Sequence, residues 1–135
     1  MKQIPTLIGI SGAFKGEICL LEQFRPYVVG RSRDADISVR RTDIFRRQTD
    51  AEREKDAAAK TISGRHFQIV FFNLNSIEIK NFSPNGTRVD GNPVDGSLVI
   101  SDIASKTHEI SCGQDARFRL ELRDVEDRSK TPTPE

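Results

Sequence analysis

The chain has 135 residues, of which 36% are hydrophobic and 30% are charged, a composition typical of a soluble globular protein with one hydrophobic core. Lysine and arginine number 21 against 20 acidic residues, so the net charge of +1 gives no overall positive field that would indicate a nucleic-acid partner. The N-terminal residues contain neither a long apolar run nor a cleavage pattern, and no segment approaches the length of a membrane span, which together predict a cytoplasmic protein without a membrane partner.

Short apolar runs rich in β-branched and aromatic residues dominate the first part of the chain, and this is strand patterning. Turn residues separate the runs, with Gly12 and Gly16 between the first two. The strands predicted here cover residues 6–10, 17–22, 27–30 and 36–39.

Residues 40–61 interrupt the strand pattern with a polar segment rich in Arg, Asp, Glu and Ala. Thr49 and Glu52 have the spacing of a capping box, and Asp56 and Lys60 have that of an i,i+4 ion pair. The segment is therefore predicted to be an insert, either helical over roughly residues 50–59 or disordered.

Strand patterning resumes after the insert and continues almost to the end of the chain. Asp90-Gly91-Asn92-Pro93 is a strong hairpin signal. The strands predicted here cover residues 66–72, 76–80, 87–90, 97–100, 108–112 and 117–122, with a short one at Val94. About ten strands without a long apolar helix predict an all-β sandwich. We assign the domain to residues 1–123 and a flexible, charged Pro-Thr tail to residues 124–135.

Three turn clusters place polar groups at the ends of predicted strands. They are Gly30-Arg31-Ser32-Arg33, Ser63-Gly64-Arg65-His66 and Asn81-Phe82-Ser83-Pro84-Asn85-Gly86-Thr87. The order Gly-Arg, Ser-x-x-His and Asn-Gly-Thr, each in a strand context, resembles the forkhead-associated (FHA) domain family from about residue 18 to 122. The long insert departs from the family, whose members usually have a much shorter connection there.

The resemblance implies a sandwich of about 11 strands whose loops hold a phosphothreonine peptide, with no cofactor, no metal and no reaction. It implies that Arg31 and Ser63 bind the phosphate and that Asn85 grips the peptide backbone. An arginine fork can hold two phosphate oxygens, and an amide can donate and accept together. Ser32, Arg65 and Gly86 are further candidates for the peptide site.

Three residues are expected to support the loops without touching the ligand: Gly30, His66 and Thr87. An enzymatic alternative would pair Ser63 with His66 as nucleophile and base. If residues 63–66 are extended, however, their odd spacing sends the two side chains to opposite faces, and no acid orients the imidazole. The resemblance therefore implies an adaptor in signalling, and the chain is predicted not to be an enzyme.

Two alternatives and one elaboration remain open at the sequence level. In one alternative the chain is a phosphate-independent protein-interaction module that acts through the insert at 40–61. In the other, weaker alternative the arginines of the insert bind nucleic acid. Cys19 and Cys112 are predicted to be free thiols, and they and the two histidines lack paired zinc-ligand spacing. Thr131 and Thr133 each precede proline, so a phosphorylated tail is a candidate ligand for the chain's own site or that of a second copy.

Overall fold

A computed structural model describes residues 2–125, and over this range the chain forms two β-sheets packed face to face. The first sheet has the order β2-β1-β11-β10-β7-β8 and is antiparallel throughout. Its strands are β1 (Lys2–Ser11), β2 (Ile18–Leu20), β7 (Thr87–Val89), β8 (Asn92–Pro93), β10 (His108–Cys112) and β11 (Ala116–Val125).

The second sheet has the order β4-β3-β5-β6-β9. Its strands are β3 (Pro26–Gly30), β4 (Ile37–Ser38), β5 (Phe67–Asn73), β6 (Ser76–Asn81) and β9 (Ser97–Ile100). All neighbours in it are antiparallel except β3 and β4, which run in parallel. The predicted all-β sandwich of about 11 strands is therefore confirmed.

The core lies between the sheets and is built by alternation along the strands. Ile77 and Ile79 of β6 are fully buried, as the period of two predicts. Phe118 of β11 packs between Phe14, with ring centroids 4.9 Å apart, and Phe67, at 6.1 Å. Each such side chain contributes about 1.5–3 kcal/mol by leaving water, so this aromatic cluster is a main link between the two sheets.

The insert is folded and helical. After the 3₁₀ helix Val39–Arg41 it forms α1 (Asp43–Arg47), α2 (Asp50–Lys55) and α3 (Ala57–Lys60). The predicted capping box is present, since Thr49 Oγ1 accepts from the Glu52 N–H and Glu52 accepts from the Thr49 N–H, both at 3.2 Å. The expected helix is thus confirmed at its start but divided in two.

Asp56 divides the helix, because its carboxylate accepts the Ala59 N–H at 3.1 Å and so caps α3. The predicted Asp56–Lys60 ion pair is wrong for the same reason. Lys60 Nζ instead lies 3.7 Å from a Glu54 carboxylate oxygen and donates to the Glu54 carbonyl at 2.7 Å.

The two ends of β11 lie at opposite ends of the sandwich. Asp124 and Val125 pair with Gln3 and Lys2, so the first two residues of the predicted tail belong to a strand. Thr131 and Thr133 lie outside the described residues.

No helix within residues 2–125 is long and apolar enough to cross a membrane.

Cys19 and Cys112 are both free thiols, as predicted. Cys112 is buried, and that burial raises the pKa of its thiol to about 12. Such a thiol is protonated and inert at neutral pH, so it acts as a small core residue.

Candidate functional site

The three turn clusters meet at one end of the sandwich, and backbone hydrogen bonds join them. The Arg31 N–H donates to the Ser63 carbonyl at 2.9 Å, and the Ser32 N–H donates to the Gly64 carbonyl at 3.0 Å. The Phe82 N–H donates to the His66 carbonyl at 2.9 Å. The first cluster is therefore tied to the second, and the second to the third.

Gly30 permits the close approach of the first two clusters. A Cβ on this residue would lie 2.1 Å from the Gly64 carbonyl oxygen and 2.9 Å from that of Ser63. Both atoms belong to backbone that is already hydrogen-bonded, so neither has room to retreat. The glycine is required here by proximity and not by a positive φ.

His66 is fully buried beneath the second and third clusters, and both of its ring nitrogens are occupied. Nδ1 accepts the Ser63 N–H at 3.0 Å, which fixes the proton on Nε2, and Nε2 donates to the Gly86 carbonyl at 2.7 Å. Burial lowers the pKa of this imidazole, more than the hydrogen bond to Gly86 raises it. The neutral ring of His66 therefore holds the loop of Ser63 and the loop of Gly86 together through hydrogen bonds.

The same contacts bear on the Ser63–His66 enzyme alternative. Residues 63–66 form a turn and are not extended, so the ring folds back over Ser63 and the two side chains are not on opposite faces. With Nδ1 taken by a backbone N–H and Nε2 already protonated, the imidazole has no lone pair to accept a proton from the Ser63 hydroxyl. This arrangement lacks a general base at Ser63.

The neutral state of His66 predicts a pH dependence of stability. Because its pKa in the folded protein lies below the ordinary value of 6.5, the unfolded chain takes up the proton first as the pH falls. The free energy of unfolding should therefore be constant above about pH 6.5 and decline below it, by at most about 1.4 kcal/mol per pH unit for this one proton. Urea denaturation at pH values between about 5 and 7.5 measures the slope. A His66→Gln variant should be less stable and lack this component, whereas an unchanged slope would assign it to other groups.

A chain of side-chain hydrogen bonds links the second cluster to the third. Ser63 Oγ lies 2.6 Å from Ser83 Oγ, which also accepts the Asn85 N–H at 3.1 Å. Asn81 Oδ1 accepts from the Ser83 N–H at 3.1 Å and from the Thr87 hydroxyl at 2.9 Å. These bonds fix the hydroxyl of Ser63 in place from below.

Asn85 is exposed at the rim of the third cluster, and its side chain is already oriented. One amide hydrogen goes to the Thr61 carbonyl at 2.8 Å, and the Thr61 hydroxyl accepts the Gln114 N–H of the β10–β11 turn at 2.7 Å. Gly86 has a φ of +85°, which an L side chain rarely adopts. The turn thus needs glycine for its conformation, and Asn85 is presented as a result.

Two arginines project beside these loops. Arg31 is half-buried, follows β3 directly and lines a cavity under the insert. Arg65 is exposed, and its guanidinium carbon stands 5.6 Å above the centre of the Phe82 ring. Arg65 also lines a shallow pocket with Ser32, so both cations lie around the junction of the first two clusters.

Sequence reasoning missed two residues that shape this end of the molecule. Ser83 lies within the third cluster but was not assigned a role, and it is the link between Ser63 and Asn85. Thr61 was placed at the end of the insert, yet its backbone and hydroxyl position Asn85 and the β10–β11 turn. No residue pattern marks either one, because both act through contacts that only the fold creates.

The architecture and the site define a class: a β-sandwich that presents connecting loops as a polar, partly cationic binding surface. The family model described as FHA domain matches residues 27–104, which is more than half of the chain. The chain belongs to the FHA domain family.

Solved structures with the same fold support this assignment. The FHA domain of the CT664 protein of Chlamydia trachomatis is 22% identical with a TM-score of 0.61, over 91% of this chain and 99% of that one. The FHA domain of a hypothetical protein of Arabidopsis thaliana is 20% identical with a TM-score of 0.65, over 93% and 91%. EmbR of Mycobacterium tuberculosis, solved with a low-affinity phosphopeptide, is 18% identical with a TM-score of 0.60, over 92% of this chain and 26% of that one. No curated protein matches the chain.

Proposed function

We propose that this domain binds phosphothreonine-containing proteins and acts as a cytoplasmic signalling adaptor, with Arg31 and Ser63 on the phosphate and Asn85 on the peptide backbone. The observation that supports this most is the hydrogen-bonded junction of the three loops, which presents all three residues at one end of the sandwich. FHA domains are phosphopeptide-binding modules, and EmbR was solved with such a ligand.

Arg31 supplies the charge that a phosphate requires. Its backbone N–H already donates to the Ser63 carbonyl, so only its guanidinium is left to bind the ligand. A phosphate carries about −1.5 to −2 charges at neutral pH and three acceptor oxygens, which match the planar fork of arginine. Because the loop is fixed by Gly30 and by two backbone hydrogen bonds, little backbone order is lost on binding.

Ser63 supplies a hydroxyl hydrogen. Ser63 Oγ and Ser83 Oγ share one hydrogen bond in which either can donate. When Ser83 donates, the Ser63 hydrogen is released for a phosphate oxygen. The Ser63 N–H is held by His66 and takes no part.

Asn85 supplies the contact to the peptide main chain. Asn85 is exposed, and among residues 2–125 its side chain makes only the hydrogen bond to the Thr61 carbonyl. A second amide hydrogen and the carboxamide oxygen are therefore left to donate to and accept from an extended peptide. Arg65 and Ser32 flank the phosphate position, and Gly86 contributes by holding Asn85 at the turn.

A titration of the domain with matched peptides tests this function. We expect a threonine-phosphorylated peptide library to bind and the same library without phosphate to bind at least about 100-fold more weakly, because the charged acceptor is lost. Fluorescence anisotropy with labelled peptides measures both affinities. Equal binding of the two libraries would contradict the proposal and direct attention to the 40–61 insert as a phosphate-independent surface.

Self-association through the tail is a further part of the proposal. The site lies at the Ala116 end of β11 and the tail begins at the other end, so the ten-residue strand separates them by about 30 Å. Thr131 lies six residues beyond Val125 and reaches at most about 21 Å, so its phosphate would bind the site of a second copy and not its own. The titration therefore includes a Thr131-phosphorylated peptide of residues 126–135, and failure of that peptide to bind would remove this part alone.

A further inference from the structure

The helical insert forms one wall of a cavity of about 380 Å³ directly beside the phosphate loop. Arg31 lines this cavity from the loop after β3, and Arg40, the second residue of the 3₁₀ helix at the start of the insert, lines it as well. The insert supplies most of the lining of this cavity. The cavity is therefore formed by the segment in which this chain departs from its family.

The parallel pairing of β3 and β4 brings these two arginines to the same edge. Gly30 pairs with Ser38, and strands so paired lie roughly 4.8 Å apart, so Arg31, which follows Gly30, and Arg40, two residues after Ser38, both leave the sheet at this edge. Ser38 Oγ accepts the Arg40 N–H at 3.2 Å and donates to the Ser32 carbonyl at 2.7 Å. Arg40 is therefore tied through one buried hydroxyl to the phosphate loop itself.

The other charged groups of the cavity are satisfied within the insert. The Arg53 guanidinium stacks on the ring of Phe45 at 4.1 Å, donates to the Phe45 carbonyl and lies 3.4 Å from an Asp50 carboxylate oxygen. Lys60 is paired with Glu54. The Asp56 carboxylate also lines the cavity, and it accepts from the Gln48 side-chain amide and from the Ala59 N–H, both at 3.1 Å. Beyond Arg40, the insert therefore contributes three carboxylates and two cations to the wall, a net charge of −1 (Asp50, Glu54 and Asp56 against Arg53 and Lys60).

The guanidinium groups of Arg31 and Arg40 differ from the rest. Within residues 2–125 neither forms an ion pair. If Arg31 binds the phosphothreonine, Arg40 remains as a second cation in the lining of the same cavity, with no ion-pair partner among residues 2–125.

We propose that Arg40 forms a second anion-binding subsite and selects phosphothreonine peptides that carry a further acidic side chain, either a carboxylate or a second phosphate. This inference rests on the proposed function of the Arg31 loop. Its physical basis is that a second negative charge on the peptide would lie near an unneutralised guanidinium whose backbone is held by Ser38 beside the phosphate loop.

The test is a positional scan. Peptides carry one phosphothreonine and a single aspartate or phosphoserine at each of the four positions on either side, and anisotropy measures their affinities for the wild type, for Arg40→Ala and for Arg47→Ala. Arg47 is the matched control, since it is an exposed arginine of the same insert that does not line the cavity. We expect the acidic group to tighten binding roughly 3- to 10-fold at one or two positions, and we expect that gain to vanish in Arg40→Ala and to persist in Arg47→Ala.

The outcomes separate this inference from the function on which it depends. A gain with aspartate identifies a carboxylate as the second ligand, a gain confined to phosphoserine identifies a second phosphate, and both support the subsite. Phosphothreonine peptides that bind equally with and without the acidic residue overturn the subsite but leave the proposed function standing. A gain that survives Arg40→Ala also overturns it, and a domain that binds no phosphothreonine peptide overturns both.

Discussion

Replacement of Arg31 by alanine is expected to weaken phosphothreonine peptide binding by about 2 to 5 kcal/mol, the range for removing one partner of a desolvated charge pair. The backbone of residue 31 would keep its hydrogen bond to the Ser63 carbonyl, so the loop should stay in place. The loss should therefore appear in the affinity and not in the thermal unfolding midpoint. Isothermal titration of a single phosphothreonine peptide, with unfolding followed by circular dichroism, measures the two quantities separately.

Two further variants make this result specific. Arg31→Lys keeps the charge but loses the planar fork, so its affinity should fall between those of the wild type and the alanine variant. Arg123→Ala removes a positive charge near the far end of β11, where residue 123 pairs with Ile4, and should leave the affinity within a factor of about two. An Arg31→Ala domain with wild-type affinity would place the phosphate elsewhere.

The fold was predictable to the extent that local pattern determines it. Alternation along residues 76–80 gave β6 with Ile77 and Ile79 inside, and the Asp90 to Pro93 signal marked the turn between β7 and β8. Both depend on side-chain period and turn chemistry, which are local properties. The division of the insert helix at Asp56 was not predictable, because capping by that aspartate competes with an ion pair at equally good spacing.

The candidate site was predictable as a set of residues but not as a set of contacts. The order of three motifs indicated Arg31, Ser63 and Asn85, and the structure brings their loops together. The use of the Ser63 N–H by His66, the role of Ser83 as a bridge and the position of Arg40 beside Arg31 all arise between segments distant in sequence. Such contacts leave no periodic trace in a single sequence.

The second large effect is a loss of stability, which we expect in the variant Gly30→Ala because residue 30 lies where the first two loops meet. A methyl group 2.1 Å from the Gly64 carbonyl oxygen must push the second loop away from the first, and the hydrogen bonds from the Arg31 and Ser32 N–H groups would lengthen or break. Overpacking of about 1–3 kcal/mol together with two lost hydrogen bonds of about 1 kcal/mol each gives an expected loss of about 3–5 kcal/mol in the free energy of unfolding. Urea denaturation measures it.

Gly64→Ala is the matched control, because it alters the other side of the same contact. Its Cβ would meet only the Cβ of Ser32, at an ordinary 3.7 Å, and its backbone does not have a positive φ. The stability of this variant should lie within about 1 kcal/mol of the wild type, and the smaller entropy of its unfolded state favours the fold. Since Gly30→Ala separates the loops that carry Arg31 and Ser63, it should also weaken phosphopeptide binding in the fraction that remains folded. Equal stabilities of the two alanine variants would mean that the loops are not pressed together at residue 30, and the preorganised site would lose its structural basis.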